Sequence, residues 1–233
     1  MPPKIVNLPY GVFSVLENSN RDYVQRTIAS GNIWEPEILG LCEQYAVPGS
    51  TVIDIGANLG AFTVKLSQLV GTSGKVFSFE PQRIIYQQLC CNIFLNDIRN
   101  VFAHQMALAE KEKTVYLTPI NYDDGAPGEV RIHGTEGEEV ICKPLDFYNL
   151  SNVSLIKIDA ERYEPFIFDG AQNTIKNNRP VILFELTTLP LPDYPTNFIY
   201  NMLSDMNYNV YLVSEKSGDY CAIPIEKDNT QNV

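Results

Sequence analysis

Apolar and polar positions follow two rhythms along this chain, and the switches between them mark its elements. From Thr51 a short continuous apolar run, TVIDIG, reads as a buried strand, and LGAFTVKLSQLV after it carries apolar residues at helical spacing. GTSG breaks the chain before a second strand, KVFSFE, and a second helix, RIIYQQLCCNIFLN; VFAHQMAL follows as a third strand. This β-α-β-α-β order with short connections predicts a parallel sheet with right-handed crossovers. The alternation pauses at TVYLTPINYDDGAPGEVRIHGTEGEEVICK, a strand, a long polar loop from Thr118 to Glu139 and a return strand. A loop of that length without periodicity is expected to be either mobile or functional, and such loops often cover sites.

Strand-helix order resumes with VSLIKIDAE, the helix YEPFIFDGAQNTIKNN, the strand PVILFEL and the helix TNFIYNMLSDM, and YNVYLVS with DYCAIPI forms a closing hairpin. The residues before Ser50 read as two helical pieces joined by ASGNIWEPE, and EKDNTQNV at the other end reads as disordered. The expectation is one domain over residues 1–233, with a helical segment at 1–49, a core at 50–225 and a disordered tail at 226–233.

Composition narrows the function classes. With 45% hydrophobic and 19% charged residues in 233, the chain is long and apolar enough for a substantial core. A formal net charge of −11 argues against a nucleic-acid partner, which needs a basic face. No apolar run is long enough to span a bilayer. MPPKIVNLPY lacks the apolar core of a signal peptide, and Cys42, Cys90, Cys91, Cys142 and Cys221 include no CxxC pair. A cytoplasmic protein with free, mostly buried thiols is expected.

The stretch TVIDIGANLGAF places Asp54, Gly56, Asn58 and Gly60 at the carboxyl end of the first strand, where open parallel sheets bind ligands. Glycine there lets the backbone approach a ligand and take φ values that other residues avoid. The helix starting near Leu59 offers free N–H groups to a carboxylate. The order G-A-N-L-G-A is out of register with the GxGxxG of nicotinamide and flavin folds, and Asp54 repels a pyrophosphate but suits an ammonium and a sulfonium. The turn therefore fits S-adenosylmethionine better than NAD. Glu80, ending the second strand, lies close to the ~20-residue offset of a ribose-binding acid. Met106 and Ala107 follow the third strand, placed to flank an adenine ring. Singly, the glycines have a plainer explanation as a tight turn and Glu80 as a solvated strand end; together, at successive strand ends, they favour a cofactor site.

These residues carry a resemblance. VIDIGANLGAFTV, GKVFSFEPQ, LCCNIFLN, MALAEKEKTVYL, LIKIDAERYEP and PVILFE resemble, in order, the blocks of FkbM-type S-adenosylmethionine-dependent methyltransferases, from about Trp34 to Glu185. The resemblance implies a class I methyltransferase (Rossmann-like) α/β fold and O-methylation, commonly of sugars or glycosylated metabolites. WEPE, Trp34 to Glu37, looks like the family's pre-motif, in which Glu35 faces the cofactor. The expected sheet has seven mostly parallel strands with an antiparallel seventh, and helices on both faces. One departure is Arg162 after Glu161, where the family has glycine; an ion pair with Glu164 or Glu161 is the favoured role, contact with the acceptor the other.

The chemistry falls to the fourth and fifth strands. Lys157, Asp159 and Glu161 come near the end of the one and Glu185 ends the other, and Lys157 shares a strand face with Asp159. A sugar hydroxyl needs a base or a metal to take its proton. Asp159 and Glu185 are therefore candidates for the base or for ligands of a divalent cation such as Mg²⁺. A purely structural ion pair of Lys157 with Asp159 or Glu185 is the alternative, and His133 in the long loop is a minor candidate base. The function expected is O-methyl transfer to a sugar or glycan hydroxyl. The alternatives are a small metabolite, lipid or peptide acceptor, or an inactive cofactor-binding module.

Overall fold

In the computed structural model, which describes residues 3–16, 22–117, 137–186 and 193–228, the chain opens with a hairpin. Strands β1 (Lys4–Leu8) and β2 (Gly11–Val15) pair antiparallel, so the expectation of an all-helical segment at 1–49 is corrected. Helices α1 (Tyr23–Ala29) and α2 (Pro36–Tyr45) follow. The core then alternates β3 (Thr51–Ile55), α3 (Ala61–Val70), β4 (Lys75–Phe79), α4 (Arg83–Leu95) and β5 (Val101–His104). Amide side chains explain how so short a hairpin is held. Asn96, just past the end of α4, and Asn92 on it accept from the Val12 and Ser14 N–H groups at 2.8 and 2.7 Å, and Gln88 donates to the Ser14 carbonyl at 2.7 Å. The outer edge of β2 is thus paired by side chains where a third strand would otherwise be needed.

The predicted third strand is two pieces. β5 ends at His104, and β6 (Ala107–Leu108) joins β7 (Lys113–Leu117) and β8 (Glu138–Lys143) in a separate sheet of order β6-β8-β7. β7 and β8 are the strand and return strand expected around the long loop, whose residues 118–136, including His133, lie outside the described residues.

The chain continues through β9 (Val153–Ile158), α5 (Glu164–Asp169), α6 (Gln172–Asn178), β10 (Val181–Glu185), α7 (Phe198–Asp205), β11 (Tyr208–Ser214) and β12 (Asp219–Pro224). The single helix expected from Tyr163 to Asn178 is broken at Gly170, where the backbone passes so close to Ala109 that a Cβ would lie 2.0 Å from its carbonyl oxygen. Asp146 caps the second piece, accepting from the N–H groups of Asn173 and Thr174 at 2.9 and 2.7 Å. The tail is ordered further than expected. Ile225–Lys227 forms a 3₁₀ turn, Glu226 takes both arms of Arg179, and Asp228 accepts from Asn209 and Tyr211 at 2.6 Å. Residues 229–233 lie outside the described set.

The main sheet has seven strands in the order β11-β12-β10-β9-β3-β4-β5, mostly parallel, with β12 antiparallel to both neighbours. Period-two alternation feeds two cores. Val52, Leu155 and Leu183 pack with α2 and α3 on one face, while Ile53, Ile156 and Ile182 pack with α5, α6 and α7 on the other. Strand order reverses between β3 and β9, which opens a crevice at the carboxyl ends of the parallel strands. Among the described residues no helix is long and apolar enough to cross a membrane.

Candidate active site

A cavity of about 260 Å³ occupies that crevice. Its floor is the turn from β3 into α3. Gly56, at φ +74°, comes so close to β9 that a Cβ would sit 1.7 Å from the Asp159 carbonyl oxygen. Glycine is therefore demanded here by the neighbouring strand end as well as by the positive φ, and Gly56 lines the cavity as expected. Asn58, at φ +49°, also lines it. Gly60 does not; it starts α3, and a Cβ there would press on Leu89.

Glu80 ends the second strand of the crevice and is 4% exposed. Its two oxygens accept from the N–H groups of Asn58 and Gln82, each at 2.9 Å. Burial, against the pull of those two hydrogen bonds, pushes its pKa up to about 7. Beside it Gln82, also buried, lines the cavity, and its buried side-chain carbonyl oxygen has no hydrogen-bond partner. Met106 and Ala107 line the same end, where the Tyr148 hydroxyl donates to the Met106 sulfur at 2.7 Å.

Asp54 corrects an expectation. It is fully buried and absent from the cavity wall, because it sits inside β3 and its carboxylate turns back to accept from the Thr63 hydroxyl at 2.5 Å. Lys157 is its register partner on β9. Burial raises the Asp54 pKa, with Lys157 and Thr63 opposing.

The opposite half of the crevice holds Asp159, Glu161 and Glu185 on its wall. Lys157 stands behind them, buried, donating to Asp159 Oδ2 at 3.2 Å with its ammonium 4.5 Å from the centre of the Phe62 ring. Burial works against the Lys157 charge, yet Asp159, Asp54 and Glu35 outweigh it and hold the pKa above its ordinary value. The ion pair considered from sequence is thus formed with Asp159, and it is Asp159, not Lys157, that reaches the cavity. Glu185 lies across from Asp219 on β12, and burial together with Asp159, Glu161, Glu164 and Asp219 raises its pKa to about 8. Glu35, in left-handed backbone at φ +41°, reaches the wall from the start of α2. Burial lifts its pKa to about 7, with Lys157 and the Trp34 side chain pulling the other way.

Among the described residues Arg162 makes no ion pair with Glu161 or Glu164, which corrects its favoured role. Glu164 instead accepts from the backbone N–H groups of Ala160 and Arg162, at 3.1 and 3.2 Å. Glu161 and Arg162 both take positive φ, +48° and +77°, which explains the glycine expected at the second position. Among the described residues no group of three or more His, Cys, Asp or Glu side chains is placed to hold a metal ion, so the Asp159–Glu185 metal site is not supported.

Sequence reasoning missed Tyr23, Trp34, Gln82, Tyr163 and Ser217 on the cavity wall. Only Gln82 carried a usable signal, standing two positions beyond Glu80 in the same strand-end turn.

Comparison with known proteins agrees with this geometry. A family model described as Methyltransferase FkbM domain matches residues 54–210. No curated protein sequence gives a significant match. A methyltransferase FkbM from Methylobacillus flagellatus superposes with a TM-score of 0.51 at 14% identity, covering 79% of this chain and 50% of that one. This chain thus spans half the length of that protein. The precorrin-6y C5,15-methyltransferase of Geobacter metallireducens gives 0.53 at 15% identity, covering 91% and 94%. M. jannaschii TYW2, in complex with AdoMet, gives 0.52 at 13%, covering 95% and 83%. At these identities the likeness is one of fold, that of the class I methyltransferases.

Proposed function

This chain belongs to the FkbM methyltransferase family, and on that premise we propose that it uses S-adenosylmethionine to methylate a hydroxyl of a sugar or glycan. The observation that carries the cofactor is the wall formed by Glu80 and Gln82. Both residues line one end of the cavity, the one a buried carboxylate and the other holding a buried carbonyl oxygen without a partner, and hydrogen-bond donors of a ligand would satisfy them. Glu80 would accept from ribose hydroxyls, the Gly56–Asn58 turn would bear the amino-acid portion, and Met106 and Ala107 would flank the base. The acids around the crevice suit a ligand that carries an ammonium and a sulfonium. When bound, S-adenosylmethionine supplies an electrophilic methyl group.

On the other half, positioning supplies much of the rate and a base the rest. Glu185, half-buried on the wall, is the group suited to take the hydroxyl proton, since its carboxylate is more basic than an exposed one. Lys157 fixes the orientation of Asp159, whose free oxygen is left to accept from the acceptor hydroxyl. Tyr163, stacked on Phe166 with ring centres 4.4 Å apart, gives a flat wall for a sugar ring. The test is incubation with isotopically methyl-labelled S-adenosylmethionine and a panel of sugars, glycans, lipids and peptides, read by mass spectrometry. A labelled sugar hydroxyl is the result expected. Label found solely on lipid or peptide acceptors refutes the sugar assignment, and no label on any acceptor favours an inactive cofactor-binding module.

A further inference from the structure

The two halves of the cavity differ in how their charge is answered. On the half formed by β3 and β4, Glu80 is engaged by two backbone N–H groups. On the half formed by β9 and β10, Asp159 and Glu185 converge, with Glu35 approaching from α2. Among the described residues no lysine, arginine or histidine lines any part of the wall. Two cations stand behind the wall: Lys157 is already held by Asp159 and by the face of Phe62, and Lys113, 5.4 Å from the centre of the Tyr163 ring, is paired with Glu110. Arg162, between two wall residues in sequence, is itself absent from the wall. Trp34, next to Glu35 in the chain, also lines the wall, and the negative π-face of its ring adds to the attraction for a positive charge.

Resting on the methyltransferase reading above, we propose that the acceptor carries a protonated amine close to the group that is methylated, and that Glu185, Asp159 and Trp34 select it. An ammonium in this half would donate charge-assisted hydrogen bonds to the carboxylates and make a cation–π contact with Trp34. A neutral acceptor forfeits the first, and an anionic one is repelled. The cofactor answers only part of the negative charge, because its own carboxylate cancels one of its two positive groups. Its demethylated product lacks the sulfonium and answers none. The bound ammonium would also favour the carboxylate form of Glu185, so the acceptor that fits is the one that readies the base.

The test is calorimetric titration of the full chain saturated with S-adenosylhomocysteine. The probes are two matched pairs, glucosamine against glucose and tyramine against tyrosol, which place an ammonium or a hydroxyl on one scaffold. The amine of at least one pair should bind at least about tenfold more tightly than its partner. Glu185→Gln should cut that preference to less than about threefold while leaving S-adenosylhomocysteine affinity unchanged. Equal binding within both pairs, tighter binding of the neutral members, no heat from either amine, or a preference that survives Glu185→Gln intact overturns the proposal. Those results leave the methyltransferase reading standing; failure of S-adenosylhomocysteine to bind sinks both.

Discussion

Replacing Glu80 by glutamine isolates the charge of one carboxylate at nearly constant shape. In the folded chain each Glu80 oxygen accepts one backbone N–H at 2.9 Å, from Asn58 and from Gln82. Glutamine can accept one of these but must present an NH₂ group to the other. One hydrogen bond to a charged group is lost, worth about 1.5–3 kcal/mol, and a buried donor is set against a donor. Part of this is offset, since the neutral amide escapes the desolvation that lifts Glu80 to about 7. Ligand affinity has no such offset, because ribose hydroxyls lose a charged acceptor just where the wall is closed. S-adenosylhomocysteine should therefore bind about tenfold to a hundredfold more weakly to Glu80→Gln at pH 8, with a modest fall in melting temperature. At pH 6, where the wild-type carboxyl is largely protonated, the difference between the two proteins should shrink. Isothermal titration at both pH values, with circular dichroism to confirm folding, gives the comparison. A folded Glu80→Gln protein that binds as tightly as wild type at pH 8 refutes the assignment of Glu80.

Three further outcomes are expected. Arg162→Gly should raise stability by about 0.5–1 kcal/mol in thermal denaturation, since it relieves a φ of +77° and removes a buried guanidinium Nε without a partner; a lower melting temperature would show that the arginine holds the loop. The unliganded protein should lose stability as pH rises from 5 to 8: Glu35, Glu80 and Glu164 have folded pKa values of about 7 and Glu185 of about 8, all above the unfolded value of 4.5, so a contribution complete below that value falls progressively above it and is gone once pH has passed through 7–8. A melting temperature that is flat or rises across that interval contradicts the burial assigned to these acids. Glu185→Gln should lower kcat by about 10²–10⁴ without weakening S-adenosylhomocysteine binding, and wild-type turnover by a folded Asp159→Asn, Glu185→Gln double mutant excludes both from the chemistry.

What the sequence made legible was local. TVIDI is buried at every position and could hardly be other than a central strand, and Glu80 and Glu185 follow apolar runs directly, which puts them at strand ends. Gly56 and Asn58 announced a turn of positive φ and the structure has one, although the close approach that requires Gly56 is to the Asp159 carbonyl. What stayed hidden depends on partners distant in the chain. The β1–β2 hairpin relies on the amides of Asn92 and Asn96, and the glycine at position 170 is required by the Ala109 carbonyl, and no periodicity encodes either. Asp54 illustrates the limit most sharply. It lies one residue before the strand's end, so its side chain turns into the protein beside Thr63 and Lys157, a difference of one position that the pleat makes decisive. Gln82 belongs to the site only because α4 begins beside Glu80.

The central claim is that the crevice between β3 and β9 is built for S-adenosylmethionine and not for a dinucleotide. Calorimetric titration of the purified chain with S-adenosylhomocysteine and, separately, with NAD tests it directly. Saturable one-site binding of S-adenosylhomocysteine, with NAD binding far more weakly or not at all, is the outcome predicted by the buried Glu80 and the unpartnered Gln82 oxygen. Tighter binding of NAD, or no binding of S-adenosylhomocysteine to the folded protein, would contradict it.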